Sequence, residues 1–382
     1  IMSVGAIRVA GVGMTRFARQ AARGHAALAH EAIGAALDDA GLCPADVDAV
    51  FCGCIAGGSG IGQHCVKDLG FAGVPVTNIE NACASSSSAL VEAAAWIGAG
   101  MADVALVFGV EILTGASGPL PPPRSGWMFD TGLNLPGWYA LQASSYMERY
   151  GATDADLAAV TVKSRSLAAS NPRAHFREPT SIEAVLADPM IAEPLTRSMC
   201  CPRTDGAAAA ILVSGRAARA QGGKGILLAG FATGGGMPVF TDRAWPQTSA
   251  QRVASQALDR AGVGPGEVDV AEVHDAFAVG EWIYAEALGL LPPGTAAART
   301  ARGETMPNNG PVAVNPSGGL LSRGHPLGAS GLAMVVEIVE QLQGRSGPRQ
   351  VEEARVGVTL TMGANEFELD TNICVGLVFR RD

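Results

Sequence analysis

A cysteine within a run of small residues is the first candidate for chemistry. Cys83 stands in Asn81-Ala82-Cys83-Ala84-Ser85, after a predicted short strand at 75–79 and at the start of a predicted helix. Unpaired backbone N–H groups and the positive end of the helix dipole favour a thiolate at such a position. A buried thiol that packs as a small apolar group is the alternative. These residues alone leave the nucleophile and the packing role equally well supported.

Two of the six histidines stand where a strand or a turn could present them to that cysteine. His325 lies in a glycine-rich turn before a predicted helix, and His274 directly follows a predicted strand. An imidazole beside Cys83 could deprotonate the thiol, and one at a strand end suits an oxyanion donor or a proton relay. A turn or helix-capping role is the alternative for His325. The pair makes a functional cluster more credible than either histidine alone.

An internal repeat predicts how these residues meet. The segment 36–48 matches 257–269 at eight of 13 positions, and in both copies a predicted helix ends at glycine, turns through proline and leads into a strand. Further pieces match in the same order: strands at 7–11 and 226–230, helices that begin at 83 and 328, and strands at 104–109 and 356–362. His325 then corresponds to the region just before Cys83, so equivalent segments of the two halves can meet at one centre.

Alternating strands and helices predict an α/β fold of two duplicated halves. We place the N-terminal half at 1–225 and the C-terminal half at 226–382. The stretch from about 114 to 201 has no counterpart in the second half, and we interpret it as an inserted loop domain that selects substrate. Three aromatic residues in this stretch could line an acyl or aromatic pocket or pack at an interface: Trp127, Trp138 and Tyr139.

The composition favours a large core and speaks against several classes of partner. Of 382 residues, 48% are hydrophobic and 16% charged, which is the balance of a folded chain. A net charge of −9 without any Lys or Arg run argues against nucleic acid and anionic membranes. No stretch approaches ~18 uninterrupted apolar residues, so we expect no transmembrane helix. Eight cysteines are too few for a disulfide scaffold, and we expect a cytoplasmic protein.

Metal and dinucleotide sites are not expected. Cys52, Cys54 and Cys65 with the adjacent His64 lack the spacing of a zinc site. The pair Gly11-x-Gly13 lacks the third glycine and the acidic residue of a dinucleotide site. We therefore predict no metal and no bound cofactor.

The ordered set of motifs around Cys83, His274 and His325 resembles the thiolase superfamily. The set is Asn-Ala-Cys-Ala-Ser, His-Asp-Ala-Phe and Gly-His-Pro-Leu-Gly-Ala-Ser-Gly, and further matches lie at 11–17, 60–63 and 205–209. The His-Asp-x-Phe form resembles the sterol-carrier-protein-type branch. The resemblance covers nearly the whole chain and implies a thiolase-like fold of two βαβαβαββ halves in five αβαβα layers. It also implies a coenzyme A thioester as substrate and an acyl-Cys intermediate.

The resemblance assigns roles by position. It makes Cys83 the nucleophile, His325 its activating base and His274 part of one oxyanion hole. The backbone N–H groups of Cys83 and Gly363 would form the other oxyanion hole. It also implies a set of substrate-binding residues: Asn315, Gly318, Gly319, Ser330 and Thr361. The expected assembly is a homodimer with the strand near 75–79 at its seam, and relatives in this branch suggest a small OB-fold partner protein.

The sequence departs from the family at the second cysteine. Thiolases use it to move the α-proton of the attacking acyl group, and its two possible places here hold Thr361 and Ala276. We therefore expect an acyltransferase that passes an acyl group from acyl-CoA through Cys83 to a carbon nucleophile activated in another way. The alternatives are a non-catalytic homologue that binds acyl-CoA and a retro-aldolase that acts on a β-hydroxyacyl-CoA.

Overall fold

The computed structural model describes residues 7–115, 130–220, 222–238, 247–363 and 369–382. The strands within these ranges are β1 (Arg8–Met14), β2 (Ala49–Gly53), β3 (Val76–Ile79), β4 (Val104–Glu111), β5 (Met190–Ala192), β6 (Leu195–Thr196), β7 (Gly206–Val213), β8 (Ile226–Gly235), β9 (Val270–Val273), β10 (Ala313–Val314), β11 (Val356–Gly363) and β12 (Ile373–Arg380).

The α-helices alternate with these strands, as predicted. They are α1 (Gly24–Ala40), α2 (Ile61–Val66), α3 (Ser85–Gly98), α4 (Leu135–Tyr150), α5 (Asp154–Ala169), α6 (Ile182–Leu186), α7 (Gly215–Ala220), α8 (Ser249–Ala261), α9 (Ala278–Ala287), α10 (Ala296–Ala301) and α11 (Leu327–Leu342). The repeated helix ends are alike in detail. Gly41 after α1 and Gly262 after α8 both adopt the left-handed conformation, with φ of 65° and 64°, which glycine reaches without a steric penalty.

The sheet repeats one strand arrangement twice. Its order is β10-β9-β11-β12-β8-β1-β7-β4-β2-β3 within the described residues. In the first half β2 runs parallel to β3 and β4, and β7 runs antiparallel to β4 and β1. In the second half β9 runs parallel to β10 and β11, and β12 runs antiparallel to β11 and β8. The predicted duplication of the α/β fold is confirmed, while the boundary between residues 225 and 226 stays a prediction.

The two halves pack around a pair of central helices, α3 and α11. Apolar residues of both helices share one buried cluster with strand residues from both halves, whereas α1 and α8 cover the outer faces. The central helices approach closely because their facing residues are small. A Cβ atom at Gly331 of α11 would lie 2.1 Å from Oγ of Ser87 on α3. This close approach brings the start of α3, and with it Cys83, beside the start of α11.

The predicted insertion contains helices α4 to α6 and the short strands β5 and β6, and its residues 116–129, Trp127 among them, lie outside the described part of the chain. It packs on the second half rather than extending into solvent. Ser164 of α5 donates its hydroxyl proton to the carbonyl of Gly318, and its Oγ lies 2.7 Å from Oγ of Ser322, three residues before His325. None of the described helices has the length and apolar content needed to cross a membrane.

Candidate active site

The cysteine loop joins β3 to α3 in a constrained turn. Ala82 has a φ of 48°, which is unusual for a residue with a Cβ atom and marks local strain directly before Cys83. The hydroxyl of Ser85 stabilises the turn because it accepts the N–H of Asn81 (2.9 Å) and donates to the carbonyl of Ala82 (2.6 Å). Cys83 is 7% exposed and lies two residues before the first residue of α3.

The His325 turn presents an imidazole base with a defined tautomer. The Ser330 hydroxyl donates to the carbonyl of Pro326 (3.0 Å), so its oxygen is left to accept the Nδ1–H of His325 at 2.7 Å. The neutral ring then carries its proton on Nδ1 and has a lone pair on Nε2. Nε2 is buried and has no hydrogen-bond partner within the described residues. His325 therefore directs a basic nitrogen into the site, and Ser330 positions it.

Cys83, His274 and His325 meet at one point, as the sequence predicted they would. Sγ of Cys83 and one ring nitrogen of each histidine all lie within 4.8 Å of one another. The two imidazole rings are nearly perpendicular, with centroids 5.1 Å apart and an interplanar angle of 77°. All three side chains are buried. This arrangement can supply a nucleophile, a base and a hydrogen-bond donor to a single reacting carbonyl group.

Burial keeps both histidines neutral. It lowers the pKa of His274 to about 3, and it lowers the pKa of His325 well below the usual range, with further lowering by His274 and the Arg323 charge. Arg323 is itself buried and held by Glu272, with Nη1 2.9 Å from the carboxylate. Because the rings are neutral, His325 can accept a proton near pH 7 and His274 can donate a hydrogen bond.

Three of the predicted substrate-binding residues contact the segments that carry the site: Asn315, Gly318 and Gly319. Asn315 accepts the N–H of Val273 (2.7 Å) and thereby fixes the strand end before His274. Gly318 packs on α5, and a Cβ atom at Gly319 would lie 2.0 Å from the carboxylate of Asp275. All three are buried framework residues, and their contact with a substrate stays a prediction.

The two places of the missing cysteine differ in their surroundings. The hydroxyl of Thr361 accepts from Ser87 (3.0 Å) and donates to Sδ of Met334 (3.5 Å), so it joins β11 to both central helices. Ala276 is buried two residues after His274. Gly363 ends β11 beside the cysteine loop, where a Cβ atom would lie 2.4 Å from the carbonyl of Asn81. Its place beside that loop suits the predicted oxyanion role.

A second thiol lies beside Ala276, which the sequence analysis missed. Cys200 forms an antiparallel bridge with Phe277, and the N–H of Cys201 donates to the carbonyl of Ala276 at 2.9 Å. Residues directly opposite in an antiparallel pair present their side chains to the same face, so Cys201 projects beside Ala276. No signal in the sequence pairs 200–201 with 276–277, because the contact joins segments 76 residues apart.

Aromatic side chains border the same region. The Tyr139 ring of α4 stacks on Phe277 with centroids 4.6 Å apart, and its hydroxyl lies 3.1 Å from that of Tyr284. Burial raises the pKa of Tyr139. The insertion therefore contributes Tyr139 to the surroundings of Cys83. The neighbouring Trp138 packs in the buried apolar cluster that also contains Tyr139 and Phe277.

One further group of metal-binding types occurs within the described residues. A donor atom from each of His25, Cys54 and Glu111 lies within 4.8 Å of the other two. The carboxylate of Glu111 already accepts three backbone N–H groups, two from residues 55–56 and one from Gly328. It therefore ties the chain after β2 to the start of α11, and the expected lack of a metal stays a prediction.

Comparison with known families identifies this combination of fold and residues. The model described as thiolase, N-terminal domain matches residues 7–216, and the model described as thiolase C-terminal domain-like matches residues 237–371. This chain belongs to the thiolase family. The resemblance stated from the motifs is confirmed, and the thiolase-like fold with it.

Curated relatives place this thiolase in the sterol-carrier-protein-type branch. It is 34% identical over 368 residues to the acetyl-CoA acetyltransferase of Methanothermobacter thermautotrophicus, covering 94% of this chain and 96% of the relative. It is 36% identical over 376 residues to benzoylsuccinyl-CoA thiolase subunit BbsB of Thauera aromatica, covering 94% of each. It is 33% identical over 379 residues to sterol carrier protein 2 of Homo sapiens, covering 93% of this chain and 69% of the relative.

A solved structure supports the same assignment. The Ltp2-ChsH2(DUF35) aldolase matches this thiolase with a TM-score of 0.85 and 26% identity, over 100% of this chain and 99% of that one. Relatives named for acyl transfer and a structural neighbour named for aldol chemistry thus share one fold. The thiolase described here is an enzyme of the acyltransferase class.

Proposed function

We propose that this thiolase transfers an acyl group from an acyl-CoA through an acyl-Cys83 intermediate to a carbon nucleophile. The observation that carries the proposal is the meeting of Cys83, His274 and His325 within 4.8 Å. A scaffold protein would not need a nucleophile and two neutral imidazoles at one buried point. The proposal takes the acyl-CoA substrate class from the names of the relatives.

In the first half-reaction His325 acts on the thiol. Nε2 takes the proton of Cys83 while the sulfur attacks the thioester carbonyl carbon, and the oxygen gains negative charge. The backbone N–H groups of Cys83 and Gly363 stabilise that oxygen by hydrogen bonding, and His274 serves the later carbon–carbon step. The carbonyl reforms, the bond to the coenzyme A sulfur breaks, and the imidazolium of His325 returns the proton to the leaving thiolate.

In the second half-reaction a carbon nucleophile attacks the acyl-Cys83 carbonyl. A carbon–carbon bond forms, the bond from the carbonyl carbon to Sγ breaks, and the Cys83 thiolate is regenerated. The acceptor must arrive as a carbanion equivalent, because Ala276 cannot titrate and the Thr361 hydroxyl is too weak an acid to exchange an α-proton near pH 7. Decarboxylation of the acceptor, or an electron-rich enol or phenol, would meet this need.

Intact-protein mass spectrometry separates this proposal from its alternatives. An acyltransferase gains the mass of one acyl group on exposure to acyl-CoA, whereas a retro-aldolase or a scaffold does not form acyl-Cys83. A panel of short, branched and aromatic acyl-CoAs is needed because the acyl chain is unknown. No adduct with any of them would overturn the proposal.

We expect the unmodified enzyme to cleave acetoacetyl-CoA slowly or not at all. We expect slow cleavage because the second thiol, which ordinary thiolysis needs for proton transfer at the α-carbon, is replaced at both of its possible places by Ala276 and Thr361. The measurement is the coenzyme A-dependent loss of acetoacetyl-CoA absorbance. Ala276→Cys and Thr361→Cys are each expected to raise the rate, by about tenfold or more if the new thiol reaches the α-carbon.

The matched controls are Ala276→Ser and Thr361→Ser, which place a hydroxyl where the test variants place a thiol. Neither control should raise thiolysis. Rapid thiolysis by the unmodified enzyme would show that another residue supplies the proton. Cys201→Ser would then be the first variant to measure, since Cys201 lies beside Ala276.

We also propose that the enzyme is a homodimer joined along β3. This strand is the last in the sheet order within the described residues, so its outer edge is not paired with another described strand and is open to a strand of a second chain. Multi-angle light scattering at micromolar concentration should give the mass of two chains. A monomer under these conditions would contradict the prediction.

A retro-aldolase is the second candidate function, favoured by the match to the Ltp2-ChsH2(DUF35) aldolase. That neighbour is named with a second component, which supports the expectation of a small OB-fold partner for this chain. Cleavage of a β-hydroxyacyl-CoA would need a base for the hydroxyl proton but no acyl-Cys83. Turnover of a β-hydroxyacyl-CoA that survives Cys83→Ala would favour this candidate.

A further inference from the structure

A basic pocket lies against the turn that carries His325. Its volume is about 530 Å³, and its lining includes Arg16, Arg165, His175, Phe176, Arg177 and Glu178. We call it the arginine pocket. Two backbone hydrogen bonds join it to the turn that carries His325. The N–H of His175 donates to the carbonyl of Arg323 (3.0 Å), and the N–H of Phe176 donates to the carbonyl of Ser322 (2.9 Å). One wall of the pocket is therefore hydrogen-bonded to the segment that leads to His325.

The positive charges in this pocket are poorly balanced. Within the described residues, none of the lining arginines Arg16, Arg165 and Arg177 forms an ion pair, and neither does Arg19, whose charge acts on His175. Glu178 is the one carboxylate among the described lining residues. Like charges held close together repel one another, and the repulsion is stronger where water is partly excluded. The Asp188 carboxylate acts on Arg165 from outside the described lining, but it already forms an ion pair with Arg197.

Arg165 shows the cost of this arrangement most clearly. Its guanidinium lies 3.7 Å from the centroid of the Phe176 ring, which fixes its orientation, and its buried Nε has no hydrogen-bond partner within the described residues. Burial lowers the pKa of Arg165. Burial also lowers the pKa of His175, and the charges of Arg19, Arg16 and Arg165 lower it further, so the local potential is positive. An unsatisfied, oriented guanidinium in a positive pocket is a ready donor to an anion.

We propose that the arginine pocket binds a phosphate group carried by an organic ligand. Guanidinium groups donate paired N–H bonds that match phosphate oxygens. A volume of about 530 Å³ is that of a small-molecule site and exceeds what a single free ion needs. The phosphate can come from the nucleotide end of coenzyme A, a reading that rests on the proposed function, or from a separate phosphorylated effector.

Isothermal titration calorimetry on the full chain tests this inference with three probes: coenzyme A, 3′-dephospho-coenzyme A and inorganic pyrophosphate. Arg165→Met keeps an apolar stem against Phe176 and removes the charge, and Arg16→Ser removes a charge at an exposed position where folding is not at risk. In each variant, loss of a charged hydrogen bond should weaken the affinity for the probe whose phosphate the pocket binds by about tenfold or more. Arg219→Ser on α7 removes an exposed arginine elsewhere and should leave all three affinities unchanged.

The pattern of losses identifies the source of the phosphate. Weaker coenzyme A binding with a smaller effect on the 3′-dephospho form assigns the pocket to coenzyme A. Weaker pyrophosphate binding with unchanged coenzyme A binding assigns it to a separate effector. The inference would be overturned if the affinities for coenzyme A and for pyrophosphate stayed within twofold of the wild type in Arg165→Met and in Arg16→Ser. If the wild type forms no acyl-Cys83 but Arg165→Met still loses probe affinity, the proposed function fails and this inference stands.

Discussion

Replacing Cys83 with alanine should abolish the covalent acyl adduct and all acyl transfer. The expected loss is complete because, among the described residues, only Sγ of Cys83 lies within 4.8 Å of one ring nitrogen of His274 and one of His325. Intact-protein mass spectrometry after incubation with acyl-CoA, followed by peptide mapping, measures the effect directly.

Two other cysteines provide the controls for this experiment. Cys43→Ser removes the exposed thiol and should leave the adduct unchanged, which excludes non-specific acylation at the surface. Cys201→Ser removes the thiol beside Ala276 and should also leave the adduct on Cys83. An adduct of equal yield on Cys83→Ala would contradict the assignment of the nucleophile.

His325→Ala should slow the acylation of Cys83 by about 10²–10⁴-fold, the usual contribution of a positioned general base. The variant loses the Nε2 lone pair that takes the thiol proton. A rapid-quench, single-turnover measurement of acyl-Cys83 formation reports this step without the later ones. The pKa of His325 lies well below its usual range, so the loss of rate that its protonation causes should begin well below pH 6.5.

His274→Ala is the matched comparison, since it removes the other imidazole of the same pair. Acyl-Cys83 should form at a near-normal rate, while the carbon–carbon step is impaired. Equal acylation rates for the wild type and His325→Ala would remove His325 from the role of base. A third variant, Ser330→Ala, should give a smaller defect than His325→Ala because it frees the Nδ1–H without removing the ring.

Local sequence patterns were sufficient to predict the elements around the site. Glycine after α1 and α8, proline in the following turn and the order of matched segments predict a duplicated α/β fold, because helix ends and turns depend on neighbouring residues. The same holds for the placement of Cys83 before α3 and of His325 before α11. These positions follow from the residues within a few places of each, and the resemblance to thiolases rests on the same short motifs.

The tertiary structure decided what lies between segments that are distant in the chain. Cys201 beside Ala276 depends on strand pairing between the insertion and the second half, and the arginine pocket depends on the docking of residues 175–176 against 322–323. No local periodicity records either contact. The neutral state of His274 and His325 likewise arises from burial by many distant residues, because desolvation depends on everything that excludes water from the ring. The sequence by itself therefore determined which groups could react, and the packing of the two halves determined their protonation, their neighbours and their reach.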